Sequence, residues 1–331
     1  MKSDTLASAA FVARQGSLRS YLALARLDHA TKHVFIIPGL ILAYALREPP
    51  LANAALSIVI GFASATAVAS ANYVINEWLD REFDAHHPSK RARIAVRLSL
   101  SPLLVYAEYS ILAIVGLLLA WQLGTSFFCT SIIFLVSGLI YNVRPVRSKD
   151  LPYVDVISES MNNPIRLTLG WTILDPTTLP PSSLFIAYWT AGAFLMGAKR
   201  LSEYRDMSAV ADGELLQRYR RSFRYYTAES LTVSCFLYAM ISAFFIAAFL
   251  VKYRLEYIIA MPFIAVLFSS YLWLALLKNS IAQRPERMFR SKRLVASLGV
   301  AVFALLVTSF VDMPFLYDLS KESFIPVDRL K

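Results

Sequence analysis

Asn76, Asp80 and Asp84 stand four residues apart in the stretch "NEWLDREFD". On a helix, residues four apart share one face. An amide oxygen and two carboxylates therefore line up as a stripe. Hard cations such as Mg2+ take oxygen ligands, keep several waters and bridge to phosphate oxygens, so this helix end suits a Mg2+–diphosphate pair. His87, Lys90, Arg91 and Arg93 follow at once and supply cations for phosphate oxygens. The spacing alone also fits a solvated helix end with i,i+4 ion pairs. Position favours the functional reading, because the stripe abuts a long apolar run, where ionisable groups are costly and mark function.

Two further clusters carry chemistry. In "GAKRLSEYRD", Lys199, Arg200 and Arg205 supply cations, and Glu203 is a further metal or water ligand candidate. A snorkelling basic helix end is the plainer account. In "YVDVISESMNNPIRLTLGW", Asp155, Glu159 and Arg166 fall near one helical face, with Asn162 and Asn163 beside them. Three ionisable groups in one apolar segment imply a polar cavity, or an internal ion pair of Arg166 with Asp155 or Glu159. The short loop "YNVRPVRSKD" precedes this segment and is rich in cations.

The elements that position these residues follow from composition. The chain of 331 residues is 57% hydrophobic and 17% charged, with mean hydropathy +0.52. Soluble domains average about 45–50% apolar and about 25% charged. The apolar surplus falls in runs of about 20 residues, the length that crosses a ~30 Å hydrocarbon core. Unpaired backbone groups are not tolerated in lipid, so the runs are expected to be helices. Nine spans are expected: 28–46, 52–76, 100–122, 125–143, 153–174, 183–200, 227–251, 256–277 and 294–316. The expected architecture is an all-α bundle with a central cavity open at one face. Residues 1–27 form an N-terminal or interfacial segment, 28–316 one transmembrane domain, and 317–331 a tail. The first 20 residues lack the continuous apolar core of a secretory signal. Cys129 and Cys235 both fall inside spans, with no disulfide framework or metal-ligand spacing.

Nine spans put 26 of the 33 Lys and Arg residues on the side of the N-terminus, 6 on the other, and Arg166 inside. By the positive-inside rule the motif loops face the cytoplasm and the C-terminus lies outside, in an inner or plasma membrane. A lipid surface, not nucleic acid, is the expected partner of this basic face.

Together these stretches resemble the UbiA superfamily of intramembrane transferases, over about residues 20–315. Asn76, Asp80 and Asp84 match its first Asp-rich motif. Tyr141, Arg147 and Lys149 match its Tyr-x-x-(x)-P-x-R-x-K segment. The resemblance implies a nine-helix bundle, a Mg2+-bound diphosphate donor at the capped cytoplasmic end, and a lipid tail in the membrane. Four features are similar to one branch, the decaprenyl-phosphate phosphoribosyltransferases. They are "HPSKRAR", "KRLSE", Arg26 with Lys32, and Asp155 with Arg166. Glu77, Ile94, Ala30 and His33 depart from that pattern.

Charge bears on the same choice. Prenyl transfer brings one diphosphate to the site. Phosphoribosyl transfer brings a diphosphate, a sugar phosphate and a lipid phosphate, and buried charge needs compensation. Lys32, His87, Lys90, Arg91, Arg147, Lys149, Arg166, Lys199, Arg200 and Arg205 suit that heavier load. The expected enzyme ionises phosphoribosyl diphosphate and passes the sugar to a polyprenyl phosphate. The alternative moves a prenyl group from its diphosphate to an aromatic or quinone-precursor acceptor. Asp155 or Glu159 would position acceptor or sugar hydroxyls. A transporter or flippase is the competing class. It is disfavoured because the charge clusters sit at one face and no paired discontinuous-helix signals stand out.

Overall fold

The computed structural model describes residues 16–85, 90–209, 220–277, 280–283 and 291–320. Its α-helices are α1 (Leu18–Leu24), α2 (Ile37–Arg47), α3 (Ala54–Asp84), α4 (Ile94–Arg97), α5 (Pro102–Trp121), α6 (Thr125–Asn142), α7 (Val154–Ser160), α8 (Asn162–Leu174), α9 (Ser182–Ser208), α10 (Ala228–Val251), α11 (Met261–Ala275), α12 (Lys292–Phe310) and α13 (Pro314–Ser320). The described residues form an all-helical bundle, as expected.

Seven helical segments are long and apolar enough to cross a membrane: 18–47, 54–84, 102–121, 125–142, 228–251, 255–275 and 292–310. The chain is an integral multi-pass membrane protein. Many apolar side chains on these helices point outward, among them Leu118, Phe236, Phe244 and Phe303, which is the pattern of lipid contact. The other two expected spans correspond to α7 with α8 and to α9, which are shorter or more polar.

Three expected spans depart from an unbroken α-helix, which corrects that reading. In the first, a 3-10 segment, Leu27–Ile36, gives way to α2, with Pro38 in the first α-helical turn. The eighth likewise opens with a 3-10 segment, Leu255–Ala260, before α11, with Pro262 in its first turn. In the fifth, α7 stops and α8 begins around Met161. Pro164 has no N–H to give the carbonyl of Ser160, and its ring crowds that turn.

The first and fifth spans pack on each other, α2 along α8, while α3 packs along α5 and α9 along α10. Glycine makes the first contact possible. A Cβ on Gly39 would stand 2.0 Å from the Leu167 carbonyl oxygen, and one on Gly170 would stand 2.0 Å from that of Ile36. Neither backbone has room to move, so only glycine fits at this crossing. The close approach brings the 3-10 segment with Lys32 beside α8 with Arg166.

Two apolar clusters hold the bundle. One joins Ile36, Val68, Phe127, Phe134, Ile165 and Leu169. The other joins Val156, Phe194, Cys235, Tyr271 and Leu294. α1 also belongs to the core: Leu24 is fully buried against Trp78, Leu100 and Val105.

Candidate active site

Two helices outrun the hydrocarbon. At 1.5 Å per residue, α3 with 31 residues is about 46 Å long and α9 with 27 is about 40 Å, against a ~30 Å core. The surplus turns carry the charged motifs to one face of the bundle: Asn76 to Asp84 on α3, Lys199 to Asp206 on α9.

At the α3 end, Asp80 accepts from Arg147 Nη2 at 2.8 Å and pairs with Lys149 Nζ at 2.5 Å. Asn76 Nδ2 donates to Asp80 Oδ2 at 3.3 Å and to Asn142 Oδ1 at 2.5 Å. Lys149 also donates to Asn142 Oδ1, at 2.6 Å. Asp84, one turn on, is buried and paired with Arg93 at 2.6 Å. Arg147 sits at φ 30, a left-handed conformation costly for a residue with a Cβ. Its guanidinium fixes it there through Asp80, Asp150 Oδ2 at 3.1 Å and the Asn142 carbonyl at 3.2 Å. Burial pulls the Lys149 ammonium down to about 8, opposed by the Asp80 carboxylate.

A second network centres on Asp155, whose side chain is 0% exposed. Its Oδ2 accepts from Arg200 Nε at 3.3 Å, from Arg220 Nη2 at 3.0 Å and from Ser222 Oγ at 3.1 Å. Its Oδ1 accepts from the Tyr226 hydroxyl at 2.5 Å and from its neighbour's backbone N–H, Val156, at 2.9 Å. Burial and the adjacent carboxylate push the Tyr226 phenol well above its ordinary value. Arg200 also holds Glu159 through Nη2 and Glu203 through Nη1 at 2.9 Å. The Tyr141 hydroxyl donates to Glu159 at 3.0 Å and accepts from Arg220 at 3.4 Å, while Lys149 lies 5.6 Å from its ring centre. Tyr141 thus joins the two networks.

Deeper in the bundle, Arg166 lies over the Phe134 ring at 5.0 Å. It is 6% exposed, and its Nε has no hydrogen-bond partner. Nη1 reaches only the Asn162 carbonyl, at 3.4 Å, and the Tyr73 hydroxyl is within hydrogen-bonding reach. Lys32 lies 5.4 Å from the Tyr73 ring centre and within electrostatic range of Arg166, Lys199 and Glu159. Lys199 stands 3.9 Å from Glu159.

The structure therefore gathers Asn76, Asp80, Asp84, Tyr141, Arg147, Lys149, Asp155, Glu159, Lys199, Arg200 and Glu203 at one end, with Lys32, Asn162 and Arg166 beneath. Several expectations change. Arg166 forms no ion pair with Asp155 or Glu159: eleven and seven residues of helical rise put them about 16 and 10 Å away along the axis, and Arg200 and Arg220 take both carboxylates. Asp155 is already enclosed by donors, which leaves its oxygens committed to the protein and not to a substrate hydroxyl. The Arg200 guanidinium is given to three carboxylates, not left open to phosphate. Arg91 and Arg205 are exposed and pair with no carboxylate among the described residues. His87 lies outside the described residues, as does the side chain of Lys90.

Sequence reasoning missed Asn142, Arg220, Ser222 and Tyr226. Arg93 was in view as a cation, but not as the partner of Asp84. Arg220 lay within a basic loop and looked like topology signal alone. The Asn142 signal was faint but present: an amide next to the Tyr141 motif, at the end of a span.

The donor set fits Mg2+. Asp80, Asp84 and Asn76 offer hard oxygens on successive turns, with cations suited to phosphate around them. Among the described residues no three His, Cys, Asp or Glu side chains form a metal cage. Mg2+ commonly takes one or two carboxylates plus waters and substrate phosphates, and Asp80 and Asp84 are the two carboxylates of the stripe.

Residues 34–295 match the model of the UbiA prenyltransferase family. Solved structures share the fold. A UbiA homolog from Archaeoglobus fulgidus bound to GPP and Mg2+ aligns with TM-score 0.65 and 18% identity, over 88% of this chain and 99% of that one. The homolog bound to DMAPP and Mg2+ aligns at 0.64 and 17%, over 88% and 100%. A structure from work on digeranylgeranylglyceryl phosphate synthase in membranes aligns at 0.59 and 15%, over 88% and 98%. At these identities the likeness is one of fold. No curated protein matches the chain.

Proposed function

This chain belongs to the UbiA prenyltransferase family, and from that premise we propose that it transfers phosphoribosyl from phosphoribosyl diphosphate to a polyprenyl phosphate. The observation that carries this reading is the state of its carboxylates. Asp80, Asp84, Asp155, Glu159 and Glu203 are each held by a Lys or Arg. None is poised as a general base. A phosphate acceptor needs none, because it is already an oxyanion near neutral pH. An aromatic acceptor must shed a ring proton after it is alkylated. Lys199, Arg200 and Glu203 belong to "KRLSE", one of the four features similar to the phosphoribosyltransferase branch, which supports the same choice.

Asp80 and Asp84, with Asn76, are the residues that would hold Mg2+. The ion would act as a Lewis acid on the diphosphate oxygens. Arg147 and Lys149, now on Asp80, are placed to turn to the diphosphate and stabilise the charge that grows as its bond to ribosyl C1 breaks. The lipid phosphate oxygen forms the new bond to C1, and diphosphate leaves. Asp155 acts as a positioning residue: it fixes Arg200 and Arg220, which in turn set Glu159 and Tyr141. The motif face is cytoplasmic in this reading, where a water-soluble donor is available.

A second reading is prenyl transfer to an aromatic or quinone-precursor acceptor, favoured by the GPP- and DMAPP-bound structures of the same fold. One assay separates them. Purified protein in lipid nanodiscs receives Mg2+ and labelled phosphoribosyl diphosphate, with or without a polyprenyl phosphate. The proposal expects diphosphate release in step with a ribosylated lipid, and only when both substrates are present. Inertness toward this pair, together with alkylation of a hydroxybenzoate or quinol by a prenyl diphosphate, would replace it with the second reading.

A further inference from the structure

Below the Asp80 end, Arg166 is a positive charge that the described residues do not neutralise. Arg166 is buried, yet among the described residues no carboxylate pairs with it, and its Nε has no partner. A buried guanidinium without a counter-charge is expensive. Lys32 lies 5.4 Å from the Tyr73 ring centre, and the Tyr73 hydroxyl is within hydrogen-bonding reach of Arg166, so two cations meet at one residue. Glu159, 3.9 Å from Lys199, is already held by Arg200 and Tyr141. His33, on the same segment as Lys32, is a second buried residue with an unpartnered ring nitrogen, Nδ1. The Gly39–Gly170 crossing forces the Lys32 segment against α8. The fold thus spends two glycines bringing cations together.

We propose that Arg166 and Lys32, with Lys199 beside Glu159, form a phosphate-monoester subsite and that its occupant is the headgroup of the lipid acceptor. The assignment to an acceptor rests on the phosphoribosyl reading above. A phosphate monoester carries close to two negative charges near neutral pH, which suits three cations partly offset by Glu159. Its depth also suits a lipid. Tyr73, beside Arg166 and Lys32, lies two turns from Asp80, about 10 Å along α3 toward the membrane interior. Arg166 lies over the Phe134 ring, and Phe134 belongs to the apolar cluster of Ile36, Ile165 and Leu169. A ribose phosphate would bring hydroxyls that need partners there. An isoprenoid phosphate brings hydrocarbon. Donor and acceptor phosphates then occupy separate cation sets: Arg147 and Lys149 for the diphosphate, Arg166, Lys32 and Lys199 for the lipid.

The test is equilibrium binding to purified protein, with farnesyl phosphate as probe, farnesol as uncharged control and phosphoribosyl diphosphate with Mg2+ as donor. The proteins are wild type, Arg166→Met and Lys32→Met. Farnesyl phosphate should bind each variant about 10- to 100-fold more weakly, the size of a lost charge-assisted contact. Farnesol and phosphoribosyl diphosphate should change by less than about threefold. Unliganded Arg166→Met should unfold no lower than wild type, because it removes an uncompensated buried charge. A large drop would mark Arg166 as structural, and Lys32→Met would then carry the binding test. Unchanged farnesyl phosphate affinity in the folded variants overturns the subsite. Weakening of phosphoribosyl diphosphate instead assigns these cations to the donor's sugar phosphate and overturns the lipid assignment. If wild type ignores phosphoribosyl diphosphate while the variants lose farnesyl phosphate, the phosphoribosyl reading fails and the phosphate-monoester subsite stands.

Discussion

Asp155→Asn separates a positioning carboxylate from one that touches substrate. Asp155 is fully buried, and Arg220, 16% exposed at the side chain, has it as its ion-pair partner at 3.0 Å. Arg200 keeps Glu159 and Glu203 when Asp155 is neutralised. The main loss therefore falls on Arg220. Breaking a buried pair by removing one partner costs about 3–5 kcal/mol. Asparagine keeps the shape and one acceptor oxygen, and water reaches part of Arg220, so about 2–4 kcal/mol is expected. The assay is unfolding of the purified protein, run as a double-mutant cycle with Arg220→Met. If the pair is the source of the loss, Asp155→Asn with Arg220→Met should be more stable than Asp155→Asn alone, because no buried cation is stranded. Turnover by Asp155→Asn should fall but remain measurable, with the loss divided between kcat and KM. The reasoning is refuted if Asp155→Asn unfolds at the wild-type midpoint. It is equally refuted if turnover vanishes at wild-type stability, which would put Asp155 on the substrate.

Asp80→Asn and Asp84→Asn should each abolish turnover in folded protein, and chelation should do the same reversibly; near-normal rates in either variant would remove the metal assignment. A cysteine introduced at the exposed Ala92 should react with impermeant reagents only from the cytoplasmic side, and one at Ser323 only from outside; the reverse pattern would invert the topology. At the opposite end of the bundle, burial would raise the Asp175 carboxyl, but hydrogen bonds from Thr177, Thr178 and Arg47 outweigh it and hold it at about 2, against 3.8 unperturbed. A depressed carboxyl stabilises the fold above its unfolded value and loses that effect as pH falls through the folded one. Unfolding midpoints should therefore drop between about pH 4 and 2 in wild type, and less in Asp175→Asn.

Much of this protein is legible from local pattern. Lipid imposes helices on apolar runs of spanning length, so the class of fold follows from hydropathy without any partner residue. The Asn76–Asp80–Asp84 stripe follows from helical period alone, since its three members share one unbroken helix. The prolines at 38 and 164 were equally local signals, and a reading that weighed apolar length above Pro chemistry passed over them. The partners of each charge were a different matter. Asp80 meets Arg147 across 67 positions and Asp155 meets Arg220 across 65. No periodicity links residues so far apart; only the packing of α3, α6, α7 and α9 brings them into register. The same applies to Arg166. It shares a helical face with Asp155, yet eleven residues of rise put the two about 16 Å apart along the axis, too far for a direct pair. Sharing a face is legible in the sequence; the partner is not. Packing gives Asp155 to Arg200 and Arg220, and the Gly39–Gly170 crossing sets the Lys32 segment against α8, so Arg166 becomes a buried cation that pairs with no carboxylate among the described residues.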